Sequence, residues 1–154
     1  MGGAATISAA LPTAANAIVD RETHVIGSWS VTITAAEPDL GSFDSLMSFH
    51  ENGVFTESRR SYIPATPLGD LLGTSGHGAW SGSGRQYAAF LRVLLQRAPT
   101  SHGRPAGIEN VRLAITRGRR LKRFSGTFES RIEDPEGIVY LTVHGTLAGV
   151  RIEV

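Results

Sequence analysis

Cysteine is absent from this chain of 154 residues. That removes disulfides, thiolate nucleophiles and thiolate metal sites together, and it is compatible with a reducing, cytoplasmic setting. An excess of either charge is missing too. Fifteen Lys and Arg stand against 14 Asp and Glu, a formal net charge of +1, so no overall field favours nucleic acid or an acidic membrane surface. No run is long and apolar enough to span a bilayer. The opening segment, residues 1–24, lacks the basic start and strong apolar stretch of a secretory signal. The five histidines are scattered, with no His-x-His and no His-Glu-x-x-His, so no metal-binding spacing is present. Gly82-x-Gly84 connects strand to strand without the helix start that holds a pyrophosphate. A nucleophile elbow is likewise missing. The expectation is therefore a protein with no metal, no cofactor and no membrane partner.

What the chain does contain is alternation. Gly27 to Thr34 puts Trp29, Val31 and Ile33 on one face and Ser28, Ser30, Thr32 and Thr34 on the other, the period-two signature of a strand. A second strand gathers Phe43, Ser45, Met47 and Phe49 on one face, and Glu51-Asn52-Gly53 then gives a hairpin signal, since Asn and Gly both accept positive φ. The third strand runs from Val54 to Ser61. Alternation stops between Tyr62 and Ser75, where Thr66 to Gly73 has the cap, the first-turn Pro and the terminal Gly of a short helical turn inside a lid-like loop. Alternation resumes at Gly76 and continues through strands around Arg85–Gln96, Val111–Ile115 and Phe124–Ile132. A last run, Ile138 to Val154, has Gly145 and Gly149 suggesting a bulge or bend. The count is about eight strands, enough to close an antiparallel up-and-down barrel that holds side chains or one small ligand. Residues 1–24 are Ala-rich and weakly patterned, and are expected to form a flexible arm on a single barrel domain of residues 25–154.

Gly27-Ser28-Trp29 on the first strand, the eight-strand meander and Arg151 on the last strand together resemble the lipocalin-like, or calycin, barrels. The resemblance implies that Trp29 and Arg151 pack against each other to shut one mouth of the barrel. A cation over an indole contributes roughly 0.5–2 kcal/mol, depending on how far water is excluded. A Thr-Asp-Tyr-type signature and a helix after the barrel, both features of lipocalins proper, are not found in this sequence.

Several residues stand out as carriers of chemistry. His77 lies between two glycines just after the lid-like segment and can exchange protons near neutral pH, and Tyr87 is placed inward by parity. They are the candidate catalytic pair. Trp80, Phe49, Met47, Leu91, Phe128, Arg59 and Arg60 are the candidate ligand-binding set, the two arginines because a guanidinium can grip an oxygen atom through two N–H groups. Each has a plainer alternative. His77 can bond a loop carbonyl at the rim, Tyr87 and Trp80 can fill the core, and Glu57 can pair with Arg59 on the same face of its strand. His144 points outward by parity unless a bulge inverts it. The sequence thus favours a monomeric or homodimeric barrel that binds a small apolar or amphipathic molecule. An alternative is a cofactor-independent cyclase, isomerase or lyase acting through His77 or Tyr87. A remoter one is an interaction or nucleic-acid module using the basic hairpin of residues 117–123, against which the balanced charge argues.

Overall fold

Period-two alternation sorts apolar side chains to one face of each strand, and a sheet with one greasy face buries it by curling onto itself. The computed structural model, which describes residues 25–66, 69–98, 105–120 and 122–153, has this arrangement. The residues expected to form the N-terminal arm lie outside the described ones. Ten strands follow one another: β1 (Gly27–Glu37), β2 (Asp39–Phe49), β3 (Val54–Arg59), β4 (Tyr62–Thr66), β5 (Gly69–Gly73), β6 (Gly76–Ser83), β7 (Gln86–Arg97), β8 (Pro105–Arg117), β9 (Arg123–Glu133) and β10 (Val139–Arg151). β1, β2, β3, β6, β7, β8, β9 and β10 pair in that order, all antiparallel, and β10 returns to β1, with Trp29 opposite Arg151. The protein is an all-β, closed, eight-stranded antiparallel barrel.

The remaining two strands correct one expectation. In place of a helical turn near Thr66–Gly73, β4 and β5 form a hairpin that lies along the far end of β7, in line with β6, with Leu71 opposite both Ile63 and Arg97. No helix occurs among the described residues. The cap and stop residues were compatible with a helix, but Leu71 is completely buried, and pairing with β7 satisfies the backbone that a single helical turn would leave half unbonded.

A second correction concerns β10. Its register runs unbroken through Gly145 and Gly149; the irregularities fall earlier on β10, between Val139 and Leu141, and on β1 opposite, between Ala35 and Glu37. The two glycines serve the interior instead. A Cβ at Gly145 would stand 2.6 Å from the Phe128 ring, and one at Gly149 would stand 2.3 Å from the Phe124 ring. Inward parity therefore holds from Leu141 to Gly149, and His144 is exposed.

The two ends of the barrel differ. At the end where β1 begins, Trp29 meets Phe124 at 4.9 Å between ring centroids, and Phe49 touches Phe55, Phe124 and Trp80. Trp29 donates its indole N–H to the Val25 carbonyl at 2.8 Å, and the Arg151 guanidinium lies 5.4 Å from the Trp29 ring while also reaching the Ile26 carbonyl. This is the contact that the family resemblance implied. It seals one end with aromatic rings. Arg117, from the basic run, also turns inward here and donates to the Gly84 carbonyl at 3.2 Å, whereas Arg119, Arg120, Lys122 and Arg123 are exposed and Lys122 pairs with Glu153. Among the described residues no such plug fills the opposite end, where β1 turns into β2 and where β4 ends.

Candidate functional site

At the unplugged end the barrel encloses a cavity of about 430 Å³. This lies within the range of roughly 300–1,000 Å³ common for small-molecule sites. One wall is apolar, built from inward residues of β9 and β10: Phe128, Ile132, Leu141 and Val143. Ala35, Pro38, Leu40 and Phe43 around the β1–β2 turn continue the lining next to β10, and Ile63 and Thr66 bring the β4–β5 hairpin to the mouth. The segment read as a lid thus forms part of the cavity rim.

The polar side chains gather at one level. Arg59 is the mouth-side end of β3, and its guanidinium is held by Glu109 of β8 through Nη2 and lies 3.5 Å from a Glu57 carboxyl oxygen through Nε. Ser130 of β9 donates its hydroxyl to Glu109 Oε1 at 2.7 Å, and Ser45 of β2 donates to Glu57 Oε1 at 2.8 Å. Arg59 also lies 5.7 Å from the Phe43 ring centroid. Arg59, Glu109 and Ser130 line both the main cavity and a void of about 20 Å³ beneath it, to which Glu57, Met47 and Leu91 also contribute. The cluster is therefore the polar floor of an apolar chamber.

Burial sets the electrostatics. Glu57 is only 3% exposed and Glu109 only 4%. Loss of water pushes the Glu57 carboxyl above its ordinary value, against the pull of Arg59 and the Ser45 hydrogen bond, and the Glu109 charge adds to the rise. For Arg59, burial works against the charged form, but Glu109 and Glu57 outweigh it and keep the guanidinium protonated. Tyr140, whose hydroxyl is buried and makes no hydrogen bond among the described residues, is pushed up by burial and then by Glu109, with Arg97 opposing and Asp134 adding. A carboxyl with a raised folded-state value stabilises the fold most below the ordinary carboxylate value, and that contribution is lost as pH rises through the raised one. Glu57→Gln keeps an acceptor for Ser45 but cannot ionise. Its melting temperature should therefore gain on that of the unmodified protein as pH rises from acid to neutral, and a gap independent of pH would contradict the upward shift of Glu57.

The candidate residues divide between the two ends. Arg59 and Phe128 line the cavity, with Arg60 exposed at its rim, and Met47 and Leu91 line the small void below. Phe49 and Trp80 belong to the sealed end, where the Trp80 indole donates to the His50 carbonyl at 2.9 Å. Tyr87 is inward as parity required, but at the sealed end, packed on Trp80 and donating to the Gly84 carbonyl at 2.8 Å. The His77 side chain is exposed on the outer face of β6, and neither His77 nor Tyr87 lines the cavity. The glycines beside His77 serve close packing: a Cβ on Gly78 would sit 1.8 Å from the Phe90 carbonyl oxygen, and one on Gly76 would sit 2.8 Å from Leu91.

Glu109 belongs to the site but is not singled out by the sequence. Alternation alone starts the sixth strand at Val111, whereas β8 begins at Pro105. Glu109 shares parity with Val111, Leu113 and Ile115, and a charge at an inward position was the available signal. Ser45 shares its inward face with Met47, and period two puts Ser130 on the inward face with Phe128.

Among the described residues, no group of three or more His, Asp or Glu is placed to hold a metal ion, and no helix is long and apolar enough to cross a membrane. Comparison with known families, curated proteins and solved structures gives no match to the chain.

Proposed function

We propose that this protein binds a small, largely apolar molecule inside its barrel, with the apolar body against the Phe128, Ile132, Leu141 and Val143 wall and a polar end on the Arg59–Glu109–Ser130 floor. The supporting observation is the pairing of a chamber of about 430 Å³ with a single level of buried polar groups. Apolar walls supply affinity at about 25 cal/mol per Å² removed from water, and a few fixed polar atoms supply orientation. The Trp29–Arg151 contact supports kinship in architecture with the lipocalin-like barrels, which use one closed and one open end.

Filling the chamber tests the proposal. Leu141 is half-buried on the cavity wall, so Leu141→Trp should occupy the space without rebuilding the barrel. N-phenyl-1-naphthylamine, a neutral fluorophore that brightens in apolar sites, should bind the unmodified protein and bind Leu141→Trp about tenfold or more weaker, with the strand signature in circular dichroism unchanged. Equal binding by the two would place the fluorophore elsewhere and defeat the proposal.

A second reading is a cofactor-free cyclase, isomerase or lyase. The observation favouring it is a buried carboxylate beside a guanidinium in one apolar chamber, a pair able to accept a proton from carbon and hold charge on oxygen. Glu109 and Arg59 would then act on the substrate. Mass spectrometry of whatever co-purifies separates the two readings: one unaltered compound supports binding alone, and a set related by isomerisation or ring closure supports catalysis.

A further inference from the structure

The charge balance on the cavity floor bears on which molecules can enter, given the binding role proposed above. Three ionisable side chains meet there: Glu57, Arg59 and Glu109. The Arg59 cation is already matched by the Glu109 carboxylate, whose other oxygen takes the Ser130 hydroxyl. Glu57 Oε1 takes the Ser45 hydroxyl and its Oε2 lies 3.5 Å from Arg59 Nε, and Glu57 lines the small void below rather than the chamber itself. The buried pair that faces the chamber is therefore one cation and one anion, Arg59 and Glu109, and is electrically neutral. Burial also raises the Glu57 carboxyl, which works against a further negative charge beneath that pair.

A carboxylate entering the chamber would find no uncompensated cation. It would place a second negative charge beside Glu109 against walls made of Phe128, Ile132, Leu141 and Val143, and a buried charge without a partner is costly. An ammonium ion would meet Glu109 but stand beside Arg59, a like charge in contact with the same carboxylate. Arg60, the remaining cation on the lining, is exposed at the rim, where water screens it. An uncharged oxygen meets none of these penalties. Arg59 carries five N–H groups, more than its contacts with Glu57 and Glu109 use, so it can donate to a carbonyl or hydroxyl oxygen. The Glu109 carboxylate has lone pairs beyond those engaged by Arg59 and Ser130, so it can accept from a hydroxyl.

We propose that the cavity selects uncharged molecules, an apolar body ending in a hydroxyl or carbonyl, and rejects carboxylates and ammonium ions of the same length. Three ligands of equal chain length separate the possibilities: 1-decanol, decanoate and decylammonium, each displacing N-phenyl-1-naphthylamine from the full chain near neutral pH, at matched ionic strength and below the concentration at which they aggregate. Decanol is expected to displace the fluorophore at about a tenth or less of the concentration that either ion requires. Glu57→Gln/Glu109→Gln leaves Arg59 unmatched and should improve decanoate relative to decanol by a similar factor. Should that variant not fold, the order of the three ligands on the unmodified protein decides alone. Equal displacement by all three would overturn charge selection while leaving the cavity as a binding site, and tighter binding of either ion would overturn it in favour of that ion's class. Failure of the fluorophore itself to bind would remove the underlying role and this inference with it.

Discussion

Replacing Arg59 with Met is expected to destabilise the barrel by about 3–5 kcal/mol, the usual loss when one member of a buried ion cluster is removed. The size follows from what is left behind rather than from what is taken away. Glu57 and Glu109 are both nearly inaccessible to water, and Arg59 is the cation that contacts each of them. Without it, two carboxyls share an apolar interior, and the chain limits the damage by taking up protons. The stability of Arg59→Met should therefore fall more steeply with rising pH than that of the unmodified protein. Urea denaturation across the acid to neutral range measures both effects. Adding Glu57→Gln and Glu109→Gln to Arg59→Met removes the stranded charges and should recover most of the loss. If Arg59→Met melts like the unmodified protein at neutral pH, the cluster is solvated and its role as a dry floor is wrong.

Trp29→Ala should cost a similar amount, about 3–5 kcal/mol, by a different mechanism. Trp29 is completely buried, contacts Phe124, carries Arg151 beside its ring and donates to the Val25 carbonyl. Truncation opens a void that Phe124 cannot fill without leaving Phe49, and it strips the ring from beside a guanidinium at the seam where β1 meets β10. Trp29→Phe keeps much of the volume and should lose distinctly less. The separation of the two ends makes the test specific: N-phenyl-1-naphthylamine binding, measured at a temperature where Trp29→Ala remains folded, should be nearly unchanged. A Trp29→Ala protein as stable as the unmodified one would show that the aromatic end is not a structural plug.

The two predictions concern parts of the molecule that were unequally legible. Trp29, Val31 and Ile33 announced an inward face on their own, because parity along a strand is a local property that needs no knowledge of the partner strand. The Asn52-Gly53 turn was equally plain, and Gly53 takes a φ of +80° and donates to the His50 carbonyl at 3.0 Å. Thr66 to Gly73 misled because cap and stop residues are also turn residues, and only contact with β7 decides which they become. His77 drew notice through its glycines, yet those glycines face Glu57 and Leu91, and a period of two turns the histidine between them outward.

The sequence by itself determined that this chain is a series of antiparallel strands with one apolar face, that Trp29 and Arg151 stand at opposite termini of that series, and that Glu57 and Arg59 share a side of β3. Tertiary structure alone decided that β10 returns to β1, that the β4–β5 segment becomes a hairpin at the mouth, and that Arg59 meets a carboxylate 50 positions away while Ser130 supports it from a third strand. The physical reason is range. Side-chain alternation is written into neighbouring residues, whereas the balance of charge in a closed interior exists only once distant strands have excluded the water between them.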